Sequence, residues 1–222
     1  MSESSKDSAS QLDRRGAVKV MALLPFAVAW DLTPPQVERA AGLLLEEQTR
    51  VGAPPFVPKF FKPSEWRTVR MLVDYIIPAD ERSGSATDAK VPEYMDFLLA
   101  DPDASDSSKV AMRGGLGWID FECTERFGTT FVRSTDAQRR QVLDDIAWPA
   151  KAKPEHSHGV TFFSDFRDLT ASGFFSSAMG WKDVQYQGNV FAPNWNGCPP
   201  EANARLGVTP AVMSTRVKPQ ER

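Results

Sequence analysis

The chain has 222 residues, with 26 lysines and arginines against 29 aspartates and glutamates, so its formal net charge at pH 7 is -3. Hydrophobic residues make up 41% of the sequence and charged residues 25%, which is ordinary for a globular protein. This weakly acidic balance argues against a nucleic-acid-binding protein. With only 2 histidines and 2 cysteines, the chain has few residues for metal or nucleophile chemistry. No apolar run reaches the ~20 residues of a membrane-spanning helix.

The first 29 residues contain the features of a secretory signal in their usual order: basic residues, a short apolar stretch and a small-x-small cleavage site. The residues that form this pattern are Arg14, Arg15 and Lys19 before the apolar stretch, and Ala27 and Ala29 at the cleavage site. The adjacent arginines resemble a twin-arginine signal, which exports folded proteins. Such a signal implies either a cofactor in this chain or a folded partner carried with it. The alternative is a buried N-terminal helix.

Hydrophobic spacing after residue 30 predicts a mostly α protein, because apolar residues recur at helical intervals and no segment alternates as a strand does. We expect a single irregular helical domain over 30–180 with long loops rich in Pro and Gly, followed by an irregular tail over 181–222. Near the end of one helix, Val142, Leu143, Ile146 and Trp148 should face inward. The predicted helices cover 36–49, 63–77, 92–100, 109–127, 136–148 and 162–180.

Candidate catalytic and metal-binding residues are scarce. Glu155, His156 and His158 could ligate a metal, but no third-ligand motif accompanies the H-x-H pair, and a solvated loop is the default interpretation. The glycines at 114–117 lack the preceding strand of a dinucleotide-binding loop, so close helix packing explains them better. With no recognisable nucleophile, phosphate-binding or redox motif, we expect no catalytic residues, cofactor or metal in this chain.

Cys123 and Cys198 are too few to hold a haem or an iron–sulfur cluster. In an exported protein a disulfide is chemically allowed. Three states are open: an internal disulfide, a bond from Cys198 to another chain, and two free thiols.

The segment FKPSEWRTVRMLVDYIIPADERSGSATDAKVPEYMDFLL, at 61–99, resembles the gluconate 2-dehydrogenase subunit 3 family. The resemblance continues through GWID at 117–120, the Phe127-Gly128 pair, 138–149, GFFSSAMGWKDVQYQGN at 173–189 and Gly197-Cys198. Together these segments cover most of residues 60–200. The most specific of them are IIPADE with its Ser/Ala/Thr-rich loop and the late G-x-x-D-x-x-Y-x-G-N run.

The resemblance implies an accessory subunit rather than an independent enzyme. Members of the family are cofactor-less helical small subunits of dehydrogenases for sugars and polyols, commonly with a twin-arginine signal. Each binds a large flavoprotein subunit of the glucose-methanol-choline type, which holds FAD, and escorts it through the twin-arginine translocase to the periplasm. A cytochrome c-type subunit often takes the electrons onward, and the chain can be membrane-associated through the complex. The runner-up hypothesis is an independent exported enzyme or metal-binding protein that uses Glu155, His156 and His158.

The C-terminal segment is richer in aromatic residues than a solvated coil needs, which is typical of a binding surface. The resulting hypothesis is that this segment lies on the flavoprotein. The alternative is that the aromatic side chains fold back onto the helices of their own chain. The predicted interface residues are Trp181, Tyr186, Phe191, Trp195 and Cys198.

Overall fold

The computed structural model describes residues 32–50, 52, 54–186, 188 and 198–207. The chain divides into two compact units, Met1–Tyr186 and Gln187–Arg222. The described residues form eight α-helices and two short 3₁₀ turns, Phe131–Arg133 and Pro154–His156, and none of them forms a strand. The mostly α fold expected from the sequence is therefore confirmed.

The first unit contains seven of these α-helices and the hydrophobic core. They are α1 (Pro34–Thr49), α2 (Pro63–Ile76), α3 (Val91–Ala100), α4 (Asp106–Phe127), α5 (Asp136–Ala147), α6 (Ser157–Phe175) and α7 (Ala178–Asp183). The second unit contains α8 (Pro200–Leu206).

Local sequence signals explain where several helices begin. Helices α1 and α2 both start at a proline, whose fixed φ suits the first helical turn. At the start of α5, the Thr135 N–H donates to Gln138 Oε1 at 2.9 Å, and the Gln138 N–H donates to Thr135 Oγ1 at 3.3 Å. This reciprocal pair is a capping box, which satisfies two backbone N–H donors at the start of the helix.

Helix α6 lies at the centre of the first unit and packs against α2, α3, α4, α5 and α7. Its side chains Phe162, Phe166 and Phe174 are at most 6% exposed. Burial of one such side chain favours folding by about 1.5–3 kcal/mol. These buried aromatic side chains therefore stabilise the packing of α6 against its neighbours.

Close approach to α6 requires a glycine on α4. A Cβ built on Gly115 would lie 1.8 Å from Phe162 Cδ2, so only glycine lets the two helices meet with that ring between them. By contrast, a Cβ at Gly114 or Gly117 would meet nothing within 4 Å. The close packing expected for the glycine cluster is thus confirmed for Gly115 and wrong for its two neighbours.

The proline-rich segment before α2 is an extended strap, defined as residues 54–62. Hydrogen bonds to Asp96 of α3, which is fully buried, hold this strap against the helix. Asp96 Oδ2 accepts the N–H of Lys59 at 2.8 Å, and Oδ1 accepts those of Phe60 and Phe61 at 2.9 and 3.1 Å. These bonds satisfy backbone donors in a segment that has no helix to satisfy them.

Two predicted helix ends are wrong. Trp148 was expected to face inward, but α5 ends at Ala147 and Trp148 has an extended backbone, which takes its side chain off the helical stripe and leaves the residue 61% exposed. Helix α6 ends at Phe175 rather than at Gly180. Gly180 instead lies within α7, where a Cβ would be 2.1 Å from the Phe174 carbonyl oxygen.

The predicted irregular tail also contains regular structure. Helix α7 extends to Asp183, and α8 forms in the second unit between Pro199, at its N-cap, and Gly207, whose φ of 64° ends it. A proline at the first helical position and a left-handed glycine at the end are the signals of a short helix. These helix signals were missed because the tail as a whole is rich in Asn, Gly and Pro, a composition typical of irregular structure.

No helix among the described residues is long and apolar enough to cross a membrane. The predicted signal segment, with Arg14, Arg15, Lys19, Ala27 and Ala29, lies outside the described residues.

Candidate interaction surface

Four exposed apolar side chains lie close together in the sequence at the end of the first unit. We call Phe175, Trp181, Val184 and Tyr186 the C-terminal aromatic patch; they are 42%, 37%, 54% and 55% exposed. The ring centroids of Trp181 and Tyr186 lie 6.4 Å apart. Such a concentration of exposed apolar residues, two of them Trp and Tyr, is typical of a protein interface.

The backbone that carries this patch is well fixed by hydrogen bonds. Ser177 Oγ donates to the Phe174 carbonyl at 2.6 Å and accepts the Gly180 N–H at 3.0 Å, which joins the end of α6 to the start of α7. After α7, the Tyr186 N–H donates to the Trp181 carbonyl at 2.8 Å. The patch is therefore presented on folded backbone and not on a coil.

The loop between α2 and α3 supports α7 from outside. The Arg82 guanidinium donates to the Asp183 carbonyl and lies 3.2 Å from its carboxylate Oδ1. In the same loop, a Cβ on Gly84 would meet Met179 Cε at 3.1 Å, so the loop packs closely on α7. This contact connects the IIPADERSG segment to the aromatic patch.

The structure describes three of the five residues predicted for the interface, and the interface itself stays a prediction. Trp181 and Tyr186 are exposed and adjacent, and Cys198 is exposed in the second unit. Phe191 and Trp195 lie outside the described residues. Sequence reasoning missed Phe175 and Val184 as surface residues. The FF pair at 174–175 gave no signal of this, because adjacent helical residues are both buried elsewhere in the chain, as at Leu72-Val73 and Phe162-Phe163.

A second candidate surface is an open groove of about 620 Å³ beside α2. We call it the Tyr75 groove. Its apolar lining is formed by Met71, Pro78 and Val132, and its polar lining by Arg67, Arg70, Asp74, Tyr75, Thr87, Asp136 and Arg140.

Tyr75 joins α2 to the start of α5 in this groove. Its hydroxyl donates to Asp136 Oδ1 at 2.5 Å and accepts from Arg139 Nε at 2.9 Å. Arg140 Nε donates to Asp136 Oδ2 at 2.8 Å. Partial burial, followed by the bond to Asp136, raises the pKa of Tyr75, and the bonds from Tyr75 and Arg140 lower the pKa of Asp136. The phenol therefore remains a proton donor to an ionised carboxylate.

A different cluster, the Arg126 clasp, joins α4, α5 and the start of α6. Arg126 Nη2 lies 2.8 Å from Glu122 Oε2, Arg126 Nη1 lies 2.5 Å from Asp145 Oδ2, and Arg126 Nη2 also contacts His156 Nε2 at 3.2 Å. The His156 ring additionally meets Trp118 edge to face, with centroids 6.1 Å apart.

This clasp bears directly on the metal hypothesis. His156 is only 7% exposed, and the nitrogen that faces Arg126 meets a cation rather than an open position. Glu155 and His158 are exposed, and Glu155 pairs with Lys153 at 3.7 Å. Across the described residues, no three His, Cys, Asp or Glu side chains are grouped so that they could hold a metal ion. The structure therefore does not bring the three predicted ligands together.

Both cysteines are free thiols in the structure. Cys123 is fully buried on α4, where desolvation raises the pKa of its thiol, and Cys198 is exposed in the second unit. A raised pKa makes Cys123 a poor nucleophile. The pairing of either thiol in an oxidising compartment stays a prediction.

Comparison with known proteins gives one result. The family model described as gluconate 2-dehydrogenase subunit 3 matches residues 63–193, which is more than half of the chain and includes α2 to α7, the Tyr75 groove and the C-terminal aromatic patch. Neither a curated protein nor a solved structure matches the chain. The protein belongs to the gluconate 2-dehydrogenase subunit 3 family.

Proposed function

We propose that this chain is the non-catalytic small subunit of a periplasmic dehydrogenase complex that oxidises a sugar or polyol. In this proposal it binds and stabilises a large subunit of the glucose-methanol-choline type, which holds the FAD, and carries no cofactor of its own. Membership of the family supports the role of an oxidoreductase complex subunit. The identity of the partner is the proposed part.

The C-terminal aromatic patch is the observation that carries the proposal. Phe175, Trp181, Val184 and Tyr186 leave apolar surface in water although hydrogen bonds hold their backbone in place. Covering that surface with a partner would remove apolar area from water at about 25 cal/mol per Å². Because Trp and Tyr dominate binding energy at many interfaces, the Trp181–Tyr186 pair is the proposed centre of the contact.

The signal segment completes the proposal. Arg14 and Arg15 would direct the folded complex to the twin-arginine translocase, so that one signal exports both subunits. A cytochrome c-type subunit would then accept the electrons. This arrangement explains why a chain with no catalytic motif would carry an export signal for folded proteins.

Affinity purification of the tagged full chain from its native host tests the binding. We expect a flavoprotein to co-purify and to give a flavin absorbance spectrum. The double variant Trp181→Ala/Tyr186→Ala should reduce the recovered flavin at least about tenfold, since hot-spot truncations cost about 2 kcal/mol or more. Trp148→Ala is the matched control, because Trp148 is 61% exposed in the same unit but far along the chain from the patch. Equal recovery with the double variant and the control would contradict the proposed contact, and a colourless, solitary chain would contradict the proposed partner.

Cell fractionation tests the export step. Replacing Arg14 and Arg15 together by lysine should retain the flavoprotein in the cytoplasm, because the translocase recognises the arginine pair. Lys6→Gln changes a charge in the same segment without touching that pair. Unchanged periplasmic flavoprotein in the arginine variant would refute export by this signal.

A further inference from the structure

We propose that the Tyr75 groove is a docking site for an extended acidic segment of a partner protein, with carboxylates that bind Arg67 and Arg70. The site is separate from the C-terminal aromatic patch and requires no flavoprotein. The proposal is based on the unused hydrogen-bond donors of the groove, on its charge and on its shape.

The groove has more hydrogen-bond donors than acceptors. Within the part of the chain that the structure describes, the guanidinium groups of Arg67 and Arg70 have no hydrogen bond or ion pair. Arg140 donates from Nε to Asp136, and its terminal nitrogens make no hydrogen bond to the described residues. An arginine has five N–H donors and no acceptor, so these side chains leave most of their donors for a ligand.

The acidic residues of the groove are already bound. Asp136 accepts from Tyr75 and Arg140, one bond on each oxygen. Asp74 Oδ1 accepts the Thr87 N–H at 2.8 Å, which fixes it against the loop that follows α2. The groove wall therefore offers cationic donors with few open acceptors, on a chain whose net charge is -3. A carboxylate is the complementary group, because it accepts hydrogen bonds from a guanidinium in a bidentate geometry.

The shape favours a peptide segment over a small enclosed acid. An open groove of about 620 Å³ can receive several residues of a peptide. The apolar surfaces of Met71, Pro78 and Val132 can pack against the aliphatic parts of the peptide's acidic side chains. Arg67 and Arg70 are one helical turn apart, about 4.5 Å along α2. Alternate side chains of an extended peptide are about 6.6 Å apart, within reach of two flexible arginines.

The position of the groove fits a protein partner. Pro78 and Thr87 of its lining belong to the loop whose Arg82 and Gly84 contact α7. The same loop therefore borders both the groove and the segment that carries the aromatic patch. A partner chain that covers the patch has a route along this loop into the groove.

Fluorescence anisotropy with a labelled hexaglutamate peptide tests the site on the purified full chain at low ionic strength, where screening is weak. We expect saturable binding of hexaglutamate and none of hexaglutamine. Arg67→Gln/Arg70→Gln should weaken hexaglutamate binding about five- to thirtyfold, as expected for the loss of two exposed ion pairs. Lys59→Gln/Arg167→Gln removes the same charge from exposed positions outside the groove and should change binding less than about twofold.

Three outcomes would overturn the proposal. The first is the absence of saturable hexaglutamate binding to the unmodified chain. The second is an equal loss in the two double variants, which would mean general charge attraction. The third is displacement of the labelled peptide by free tricarballylate at concentrations as low as those at which unlabelled hexaglutamate displaces it. That result would mean a site for a small organic acid. Matching circular dichroism spectra and urea midpoints for both double variants establish that they fold.

Discussion

The Arg126 clasp and the Tyr75 groove both bring arginine and aspartate together between helices, but they use their donors differently. In the clasp, Arg126 is shared among Glu122, Asp145 and His156, all from the same chain. In the groove, the guanidinium groups of Arg67 and Arg70 make no hydrogen bond or ion pair with the described residues, and Arg70 acts on the carboxylate of Glu93 only at longer range. The difference separates arginines that hold the fold together from arginines that remain available for binding.

The same contrast occurs between two buried carboxyl groups on α3. Asp96 accepts three backbone N–H groups from the strap. Glu93 is 2% exposed, yet its Oε2 has no hydrogen-bond partner and its Oε1 lies 4.0 Å from Lys90 Nζ. Because a buried polar group without a partner costs free energy, the two residues should respond oppositely to removal of their charge.

Removal of Asp96 should have the largest effect. Asp96→Ala leaves the N–H groups of Lys59, Phe60 and Phe61 without their acceptor, so we expect a loss of about 3 kcal/mol in the free energy of unfolding. Asp96→Asn keeps one carbonyl acceptor and should lose less. Urea unfolding measures the loss, and trypsin cleavage between Lys59 and Phe60 should accelerate in the alanine variant as the strap detaches. A cleavage rate equal to that of the unmodified chain would show that other contacts hold the strap.

Substitution of the two kinds of arginine tests the main comparison directly. Arg126→Gln should lower the free energy of unfolding by about 2 kcal/mol, because the carboxylates of Glu122 on the same helix and Asp145 on α5 lose their charged donor. Arg67→Gln should change it by no more than about 0.5 kcal/mol, as expected for an exposed side chain without a partner. Similar urea midpoints for the two variants would remove the distinction between clasp and groove.

The sequence predicted those features that depend on neighbouring residues. Helices α1, α2 and α5 begin where a proline or a capping pair stands next to an apolar stripe, as at Pro63 and at Thr135 with Gln138. Trp148 was misplaced because periodicity does not reveal the residue at which a helix stops. Among the candidate interface residues, Trp181 and Tyr186 could be selected by composition alone, but their exposure is visible only in the folded segment, where Ser177 joins the end of α6 to α7.

Features made by distant segments could not be predicted from local patterns. The Asp96 bonds to the strap span 35–37 positions, and the Tyr75–Asp136 bond spans 61. His156 looked like a loop residue because its neighbours Glu155 and His158 are polar, whereas Arg126 and Trp118, on another helix, enclose it. Sequence spacing carries no information on such contacts.

Loss of the Tyr75 hydroxyl should have a smaller effect than loss of Arg126. Tyr75→Phe keeps the ring but removes the bonds to Asp136 and Arg139, which should lower the free energy of unfolding by about 1 kcal/mol at neutral pH. The pKa of Asp136 is depressed first by Tyr75, so its contribution to stability is present above its unfolded pKa and is lost as pH falls through the folded pKa. The penalty of Tyr75→Phe should therefore shrink on acidification. A pH-independent penalty in urea titrations would place the effect in packing and not in the Asp136 bond.

Neutralisation of Glu93 should have the smallest effect and the opposite sign. Burial raises the pKa of Glu93, against the lowering influence of its own backbone hydrogen bond and of Lys90 and Arg70, while Glu47 adds to the rise. A carboxyl with a raised folded pKa favours the folded state while protonated, and this contribution is lost as pH rises from the unfolded pKa through the folded pKa. Glu93→Gln should consequently be slightly more stable than the unmodified chain at pH 7, and the gain should vanish near pH 4, where glutamate itself takes up a proton. Glu125→Gln, an exposed acid on α4, should show no such pH-dependent gain in thermal unfolding. A loss of stability in Glu93→Gln at pH 7 would instead mean that the ion pair with Lys90 outweighs the cost of desolvating the Glu93 carboxylate. Glu93 would then resemble Asp96, whose buried negative charge stabilises the fold.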